Sequence, residues 1–189
     1  MIVLIHGRKR SGKDTFAGIL KELKPELEIY SFAQPLKEIT AKSFGITLKV
    51  LDDLKNDESI KIGFRSPNAK MCTGNSVRNF LQNLGTEAMK PIFGDDVWAD
   101  LAIKHYNTLP EGSIMVVPDF RVQEEYQAIK ALGLPILTVK INRDCAEVSG
   151  DTHITENGLA EDFEFDFIVD NNGTLDDLRA EAVELLDKL

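Results

Sequence analysis

Apolar residues along this chain alternate between short continuous runs and stretches where they recur every three or four positions. Ile2 to Ile5 is one continuous run, which predicts a strand buried on both faces. Phe16, Ile19, Leu20 and Leu23 follow at helical spacing, and Pro25 marks the stop. Glu28 to Phe32 fits a second strand and Ile114 to Val117 a third. The next helix carries Val122, Tyr126, Ile129 and Leu132 on one face and ends at Gly133. Ile136 to Ile141 and Phe165 to Val169 are the fourth and fifth strands. Thr174 with Asp177 has the form of a capping box, leading into Leu175, Leu178, Ala182 and Leu185. Strands alternating with helices predict an α/β three-layer fold: a five-stranded parallel sheet with helices on both faces.

The stretch 35–109 breaks this alternation. It has helical patterns and no convincing buried strand, and Asp52 to Asn75 reads as a polar loop. The expected organisation is therefore one domain, with 1–34 and 110–189 as core and 35–109 as a helical insertion. Residues 144–162, rich in Gly, Asp, Glu and Thr, read as a lid-like loop.

Composition narrows the function classes. With 189 residues, 43% of them hydrophobic and 28% charged, the chain can bury a core without staples. Its formal net charge of −9 repels a phosphate backbone, so a nucleic-acid partner is not expected. Cys72 and Cys145 are the only cysteines and make neither a disulfide framework nor a zinc motif. No apolar run approaches membrane-helix length, and Met1 leads directly into the first strand, so the expected compartment is the cytoplasm.

Against that acidic background, four cations cluster in Gly7-Arg8-Lys9-Arg10-Ser11-Gly12-Lys13-Asp14-Thr15, between the first strand and the first helix. Two glycines five apart, the second followed by lysine, form the pattern of a phosphate-binding loop, or P-loop. Glycines let the backbone turn so that successive N–H groups face phosphate oxygens, and the helix N-terminus adds its positive end. Lys13 supplies a point charge for the β- and γ-phosphates. Ser or Thr is usual after this lysine as a magnesium ligand, but Asp14 stands there, followed by Thr15. Asp14 can reach the metal directly or through water, or Thr15 can cap the loop; the sequence leaves both open. A plain glycine-rich turn with a solvated basic run is the bland alternative.

The third strand ends in Val116-Val117-Pro118-Asp119-Phe120-Arg121, where open parallel sheets bind ligands. Asp119 is placed to hold Mg²⁺ through water or to orient an acceptor, and Arg121 to clamp a phosphate. Equally simple is a structural reading: Asp119 caps the next helix, and Arg121 pairs with Glu124 or Glu125. In the insertion, Val77, Phe80, Leu81, Leu84 and Ala88 form an apolar stripe. Arg78, Gln82 and Thr86 lie beside it at i, i+4 and i+8, with Gly85 between the stripes leaving room for a ligand. The polar stripe can grip a phosphate and read a base edge, or it is a solvated helix face. Trp98, the single tryptophan, can stack on a base or anchor a core.

Taken together, these segments resemble the phage-type deoxynucleoside monophosphate kinases, a branch of the P-loop nucleotide kinases. The resemblance rests on Lys9 to Thr15, on Arg78 through Leu84-Gly85-Thr86 to Trp98, on Val116 to Arg121 with Glu125, and on Asp151-Thr152-His153-Ile154-Thr155-Glu156-Asn157-Gly158-Leu159. It implies ATP and Mg²⁺, a deoxynucleoside monophosphate as acceptor, and small nucleotides as the only required partners, with a homodimer as a compatible assembly. It also implies a donor site of Lys9, Arg10, Gly12, Lys13, Asp14, Thr15 and Arg143. Around the acceptor it implies Leu36, Lys37, Arg78, Gln82, Gly85, Trp98, Asp119, Arg121, Glu125 and Thr152. Lys13, Arg78, Asp119 and Arg121 would be catalytic, and Asp14 and Asp119 would face the metal. The middle insertion is shorter than is usual in this family. The rival expectations are a P-loop kinase for another phosphorylated acceptor, such as dephospho-coenzyme A, and a nucleotide-binding switch.

Overall fold

The computed structural model describes residues 1–57, 59–62, 75–144, 159–160 and 162–189. Five strands build the main sheet: β1 (Ile2–Gly7), β2 (Glu28–Ile29), β5 (Met115–Val117), β6 (Ile136–Asn142) and β7 (Phe167–Asp170). Their order across the sheet is β2-β5-β1-β6-β7, and every neighbouring pair is parallel. β1 lies in the middle, so crossovers leave it in both directions. Such a reversal opens a crevice at the carboxyl ends of the central strands.

Alternation along the strands divides the core into two layers. Val3, Ile5, Val116, Val139, Ile141, Phe167 and Val169 pack with Phe16, Ile19 and Leu20 of α1 (Lys13–Leu23) and with Leu178, Ala182 and Leu185 of α8 (Leu175–Leu186). Ile2, Leu4, Met115 and Val117 take the alternate positions and are fully buried as well. Ala102 of α6 (Val97–Tyr106) and Ile129 of α7 (Gln123–Lys130) are fully buried too. Thr174 caps α8 as expected: its hydroxyl accepts the Asp177 N–H at 3.2 Å, and Asp177 accepts the Thr174 N–H at 2.7 Å.

Two strands are shorter than their apolar runs predict, each because a carboxylate replaces the ladder. After Tyr30, whose N–H still reaches the Val116 carbonyl, Asp119 takes the Phe32 N–H at 2.8 Å. Asp166 likewise takes the Thr138 N–H and hydroxyl at 2.8 and 2.7 Å, so β7 begins one residue later. Leu132 was expected on the buried face of α7, yet the helix stops at Lys130 and Leu132 is exposed.

Contact clustering divides the chain into Met1–Phe32 with Ala99–Leu189 as one compact unit and Ala33–Trp98 as the other. The second unit therefore ends before the 35–109 boundary read from sequence. It contains α2 (Gln34–Phe44), α3 (Leu48–Asn56), α4 (Val77–Gln82) and α5 (Lys90–Phe93), with the two-residue antiparallel pair β3 (Lys61–Ile62) and β4 (Asn75–Ser76). The expected loop from Asp52 is instead helical as far as Asn56, because Thr47 caps α3 by accepting the Val50 N–H and Leu51 anchors it in the core. Between α4 and α5, Asn83–Met89 is π-helical. Its wider turn moves Thr86 off the i+8 row above Arg78 and Gln82, which a continuous α-helix would have kept straight.

Candidate functional site

The segment between β1 and α1 curls tightly. Arg10 at φ 64° is the only described non-glycine residue with positive φ, and Gly12 follows at φ 98°. Left-handed residues alternating with right-handed ones gather consecutive N–H groups on a concave side, the form that binds phosphate oxygens. The Ser11 N–H closes a turn onto the Arg8 carbonyl at 3.1 Å, and the Phe16 N–H begins the helix on the Gly12 carbonyl at 2.9 Å. Lys13 reaches back to donate to the carbonyls of Gly7 and Arg8, at 2.6 and 2.8 Å. Its ammonium thus lies against the loop's own backbone, while Asp14 and Thr15 are exposed on the first turn of α1.

What fixes the loop from outside is Asn171, the residue that follows β7. Its side-chain NH₂ donates to the Ser11 carbonyl at 2.7 Å, and its backbone N–H donates to the Asn142 carbonyl at 2.8 Å. Gly12 faces that amide so closely that a Cβ there would overlap Asn171 Nδ2. No local pattern marks Asn171, because the contact spans 160 positions. An asparagine just past a strand end is the only available signal.

A cleft of about 740 Å³ opens beside the loop, with His6, Arg8, Arg143, Phe163, Asp170 and Asn172 among its lining residues. Arg143 is thereby placed at the same opening as the loop residues Gly7 and Arg8. His6 Nδ1 faces the Phe120 carbonyl at 3.1 Å, and the ring stacks on Phe165. Burial lowers the His6 pKa, and the charges of Lys13, Lys140 and Arg121 press it lower, against the opposing hydrogen bond to Phe120. Of the other loop cations, Lys9 is half-buried and Arg10 exposed.

At the end of β5 the carboxylates have structural partners. Asp119 accepts the Ser31 hydroxyl at 2.5 Å and the Phe32 N–H at 2.8 Å, which ties β5 to the end of β2. Glu125 is buried and accepts the backbone N–H groups of Arg121 and Val122 at 2.9 and 3.2 Å, capping α7. Asp14 is exposed, and Asp119 already accepts from Ser31 and Phe32; single carboxylates of this kind are the donors magnesium takes, one or two at a time, beside substrate phosphates. Among the described residues no three His, Cys, Asp or Glu side chains cluster as a metal cage.

In the other unit, Lys37 pairs with Asp52 at 2.9 Å, and Lys55 approaches the same oxygen at 3.4 Å. Arg78 is half-buried at the start of α4, and its Nε has no hydrogen-bond partner among the described residues. Gln82 closes α4, also half-buried. Gly85 is buried within the π-helical turn, where Leu36 Cδ2 would lie 3.0 Å and Trp98 Cζ2 3.7 Å from any Cβ. Leu36 and Trp98, both buried, pack against the place where a side chain would be. The expectation for Thr152, and most of that for 144–162, lies outside the described residues.

The described helices include none long and apolar enough to cross a membrane. Three solved structures resemble the chain. One is TT1252 from Thermus thermophilus, at 16% identity and TM-score 0.52, covering 100% of this chain and 97% of that one. Another is an APS kinase from Mycobacterium tuberculosis in complex with AMPPNP and APS, at 14% identity and TM-score 0.47, covering 99% and 97%. The third is a thymidylate kinase from Candida albicans, at 17% identity and TM-score 0.47, covering 99% and 91%. No curated protein matches. The family described as deoxynucleotide monophosphate kinase matches residues 67–182, a span that excludes the P-loop but holds Arg78, Gly85, Trp98, Asp119, Arg121, Glu125 and Arg143. Because that match spans more than half of the chain, the protein belongs to the deoxynucleotide monophosphate kinase family.

Proposed function

We propose that the chain transfers the γ-phosphoryl group of ATP to the 5′-phosphate of a deoxynucleoside monophosphate, giving the diphosphate. The observation that carries this reading is the curled loop with Lys13 lying against its carbonyls, in a chain of this family. The loop N–H groups and the start of α1 hold the triphosphate. Lys13 leaves the carbonyls of Gly7 and Arg8 for the β- and γ-oxygens, and Arg143 adds a cation at the cleft. Asp14 and Asp119 would hold Mg²⁺, which when bound would neutralise phosphate charge. Arg78 and Lys37 of the insertion unit draw the acceptor's phosphate, and Arg121 of the core offsets charge during transfer. No strong base is needed, because the attacking phosphate oxygen is already anionic. His6, held neutral, takes no proton from it.

The test is ADP formation from ATP and Mg²⁺ with each common deoxynucleoside monophosphate, its ribose counterpart and dephospho-coenzyme A. A deoxynucleoside monophosphate should support the fastest turnover. Lys13→Ala should lower kcat roughly a hundredfold or more, the scale of removing one positioned charge from a phosphoryl-transfer site. Turnover with no monophosphate, or a Lys13→Ala enzyme near wild-type rate, overturns the proposal.

A further inference from the structure

The insertion unit holds a charge imbalance that packing does not explain. Asp52 on α3 meets Lys37 of α2 at 2.9 Å and Lys55 of its own helix at 3.4 Å. The guanidinium of Arg78 on α4 also acts on Lys55. Fastening α2 to α3 takes one lysine and one carboxylate, yet among the described residues two lysines share Asp52, and the charge of Arg78 reaches Lys55 as well. Their mutual repulsion is felt at Lys55: burial lowers its pKa, and the charges of Lys37 and Arg78 lower it further, while Asp52 opposes them. Burial works to raise the Asp52 pKa, but the Lys37 hydrogen bond and the two lysine charges outweigh it, so Asp52 stays ionised. Arg78 Nε is, in addition, a buried guanidinium nitrogen with no hydrogen-bond partner among the described residues.

We propose that Lys55 completes a phosphomonoester subsite with Lys37 and Arg78, and that Asp52 is an internal counter-ion which the bound phosphate displaces. The surplus of two positive charges matches a phosphomonoester dianion, whose second proton leaves near pH ~6. The planar guanidinium of Arg78 suits bidentate capture of phosphate oxygens, and two flexible ammonium groups complete the charge. Lys55 carries no sequence signal for this role, since it enters only through the packing of α3 on α4. The inference rests on the acceptor reading of this unit, but base-free anion binding tests it independently of turnover.

The experiment titrates deoxyribose 5-phosphate and inorganic phosphate into the full chain by calorimetry. It uses wild type, Lys55→Gln, Lys55→Arg and Asp52→Asn, each also in a Lys13→Ala background to suppress binding at the P-loop. Lys55→Gln should weaken deoxyribose 5-phosphate binding about tenfold in both backgrounds, the scale of one charge-assisted contact, and Lys55→Arg should restore most of it. Asp52→Asn separates the subsite from a structural ion pair: it should lower the melting temperature yet tighten phosphate binding severalfold. Unchanged binding in Lys55→Gln, or binding that falls with stability in Asp52→Asn, overturns the subsite. If these results hold and no monophosphate is turned over, the kinase reading fails and the anion subsite stands.

Discussion

The core unit and the insertion unit both gather positive charge, but by opposite means. In the core the anion-binding surface is mostly backbone, curled by two positive φ angles and fastened from outside by Asn171. The insertion instead clusters side-chain cations: Lys37 and Lys55 meet at Asp52, and the charge of Arg78 reaches Lys55. Backbone donors keep their charge and position at any pH and cost nothing to reorient when the ligand arrives. Side-chain cations repel one another and need a counter-ion until the ligand replaces it. On the proposed function, the donor is thus met by a backbone cradle and the acceptor by a side-chain cluster.

The largest way to break that contrast is to stiffen the curl. In Gly12→Ala a Cβ would overlap Asn171 Nδ2 on a backbone at φ 98°, where L side chains are strained. ATP-dependent turnover should fall by roughly two orders of magnitude or more, with about 1–3 kcal/mol of strain or displacement in the loop. Phosphate binding by the insertion should survive, because its cations lie in a separate compact unit. Calorimetry with ATP and with deoxyribose 5-phosphate reads the two effects, and equal loss of both ends the distinction. A smaller effect sharpens it. Asn171→Ala leaves the Ser11 carbonyl without its side-chain donor, a loss of about 1–2 kcal/mol. The KM for ATP should rise about tenfold while the acceptor KM stays level. Asn171→Asp should be worse than alanine, since its carboxylate would face the Ser11 carbonyl. A uniform fall in kcat with unchanged KM values would make Asn171 a fold residue only.

The same contrast governs what the sequence discloses. The P-loop is legible because its parts are consecutive, and the runs of β1 and β5 because those inner strands are buried on both faces, whereas β7 alternates buried and exposed positions. Strand lengths were misread where Asp119 and Asp166 substitute for ladder bonds, and no periodicity encodes that. The Arg78–Gln82–Thr86 row was misplaced because a π-helical turn begins at Asn83, and nothing in the spacing announces it. Gly85 reads as space for a ligand until Leu36 and Trp98 are seen packed against it. Lys55 and Asn171 were missed because each acquires its neighbours only when distant segments fold together.

The smallest expected effect uses protons to separate the two regions. His6 has a folded pKa below its ordinary 6.5, from burial and from the charges of Lys13, Lys140 and Arg121. Because the unfolded chain binds a proton more readily there, stability rises with pH across the window between the two values. It is full above the unfolded pKa and falls as pH drops below 6.5, until the folded value is passed. Asp52 behaves differently: its folded pKa lies below 3.8, so its contribution persists until much more acidic pH. Between pH ~7.5 and pH ~5.5 the core should therefore weaken while the insertion's ion pair holds. Thermal melts of wild type should show a drop of a few degrees over that range. His6→Phe keeps a ring against Phe165 and should flatten the slope, whereas Asp52→Asn should lower the melting temperature by the same amount at both pH values. A wild-type slope retained in His6→Phe, or abolished in Asp52→Asn, would place the titrating charge in the insertion instead of beside the phosphate loop.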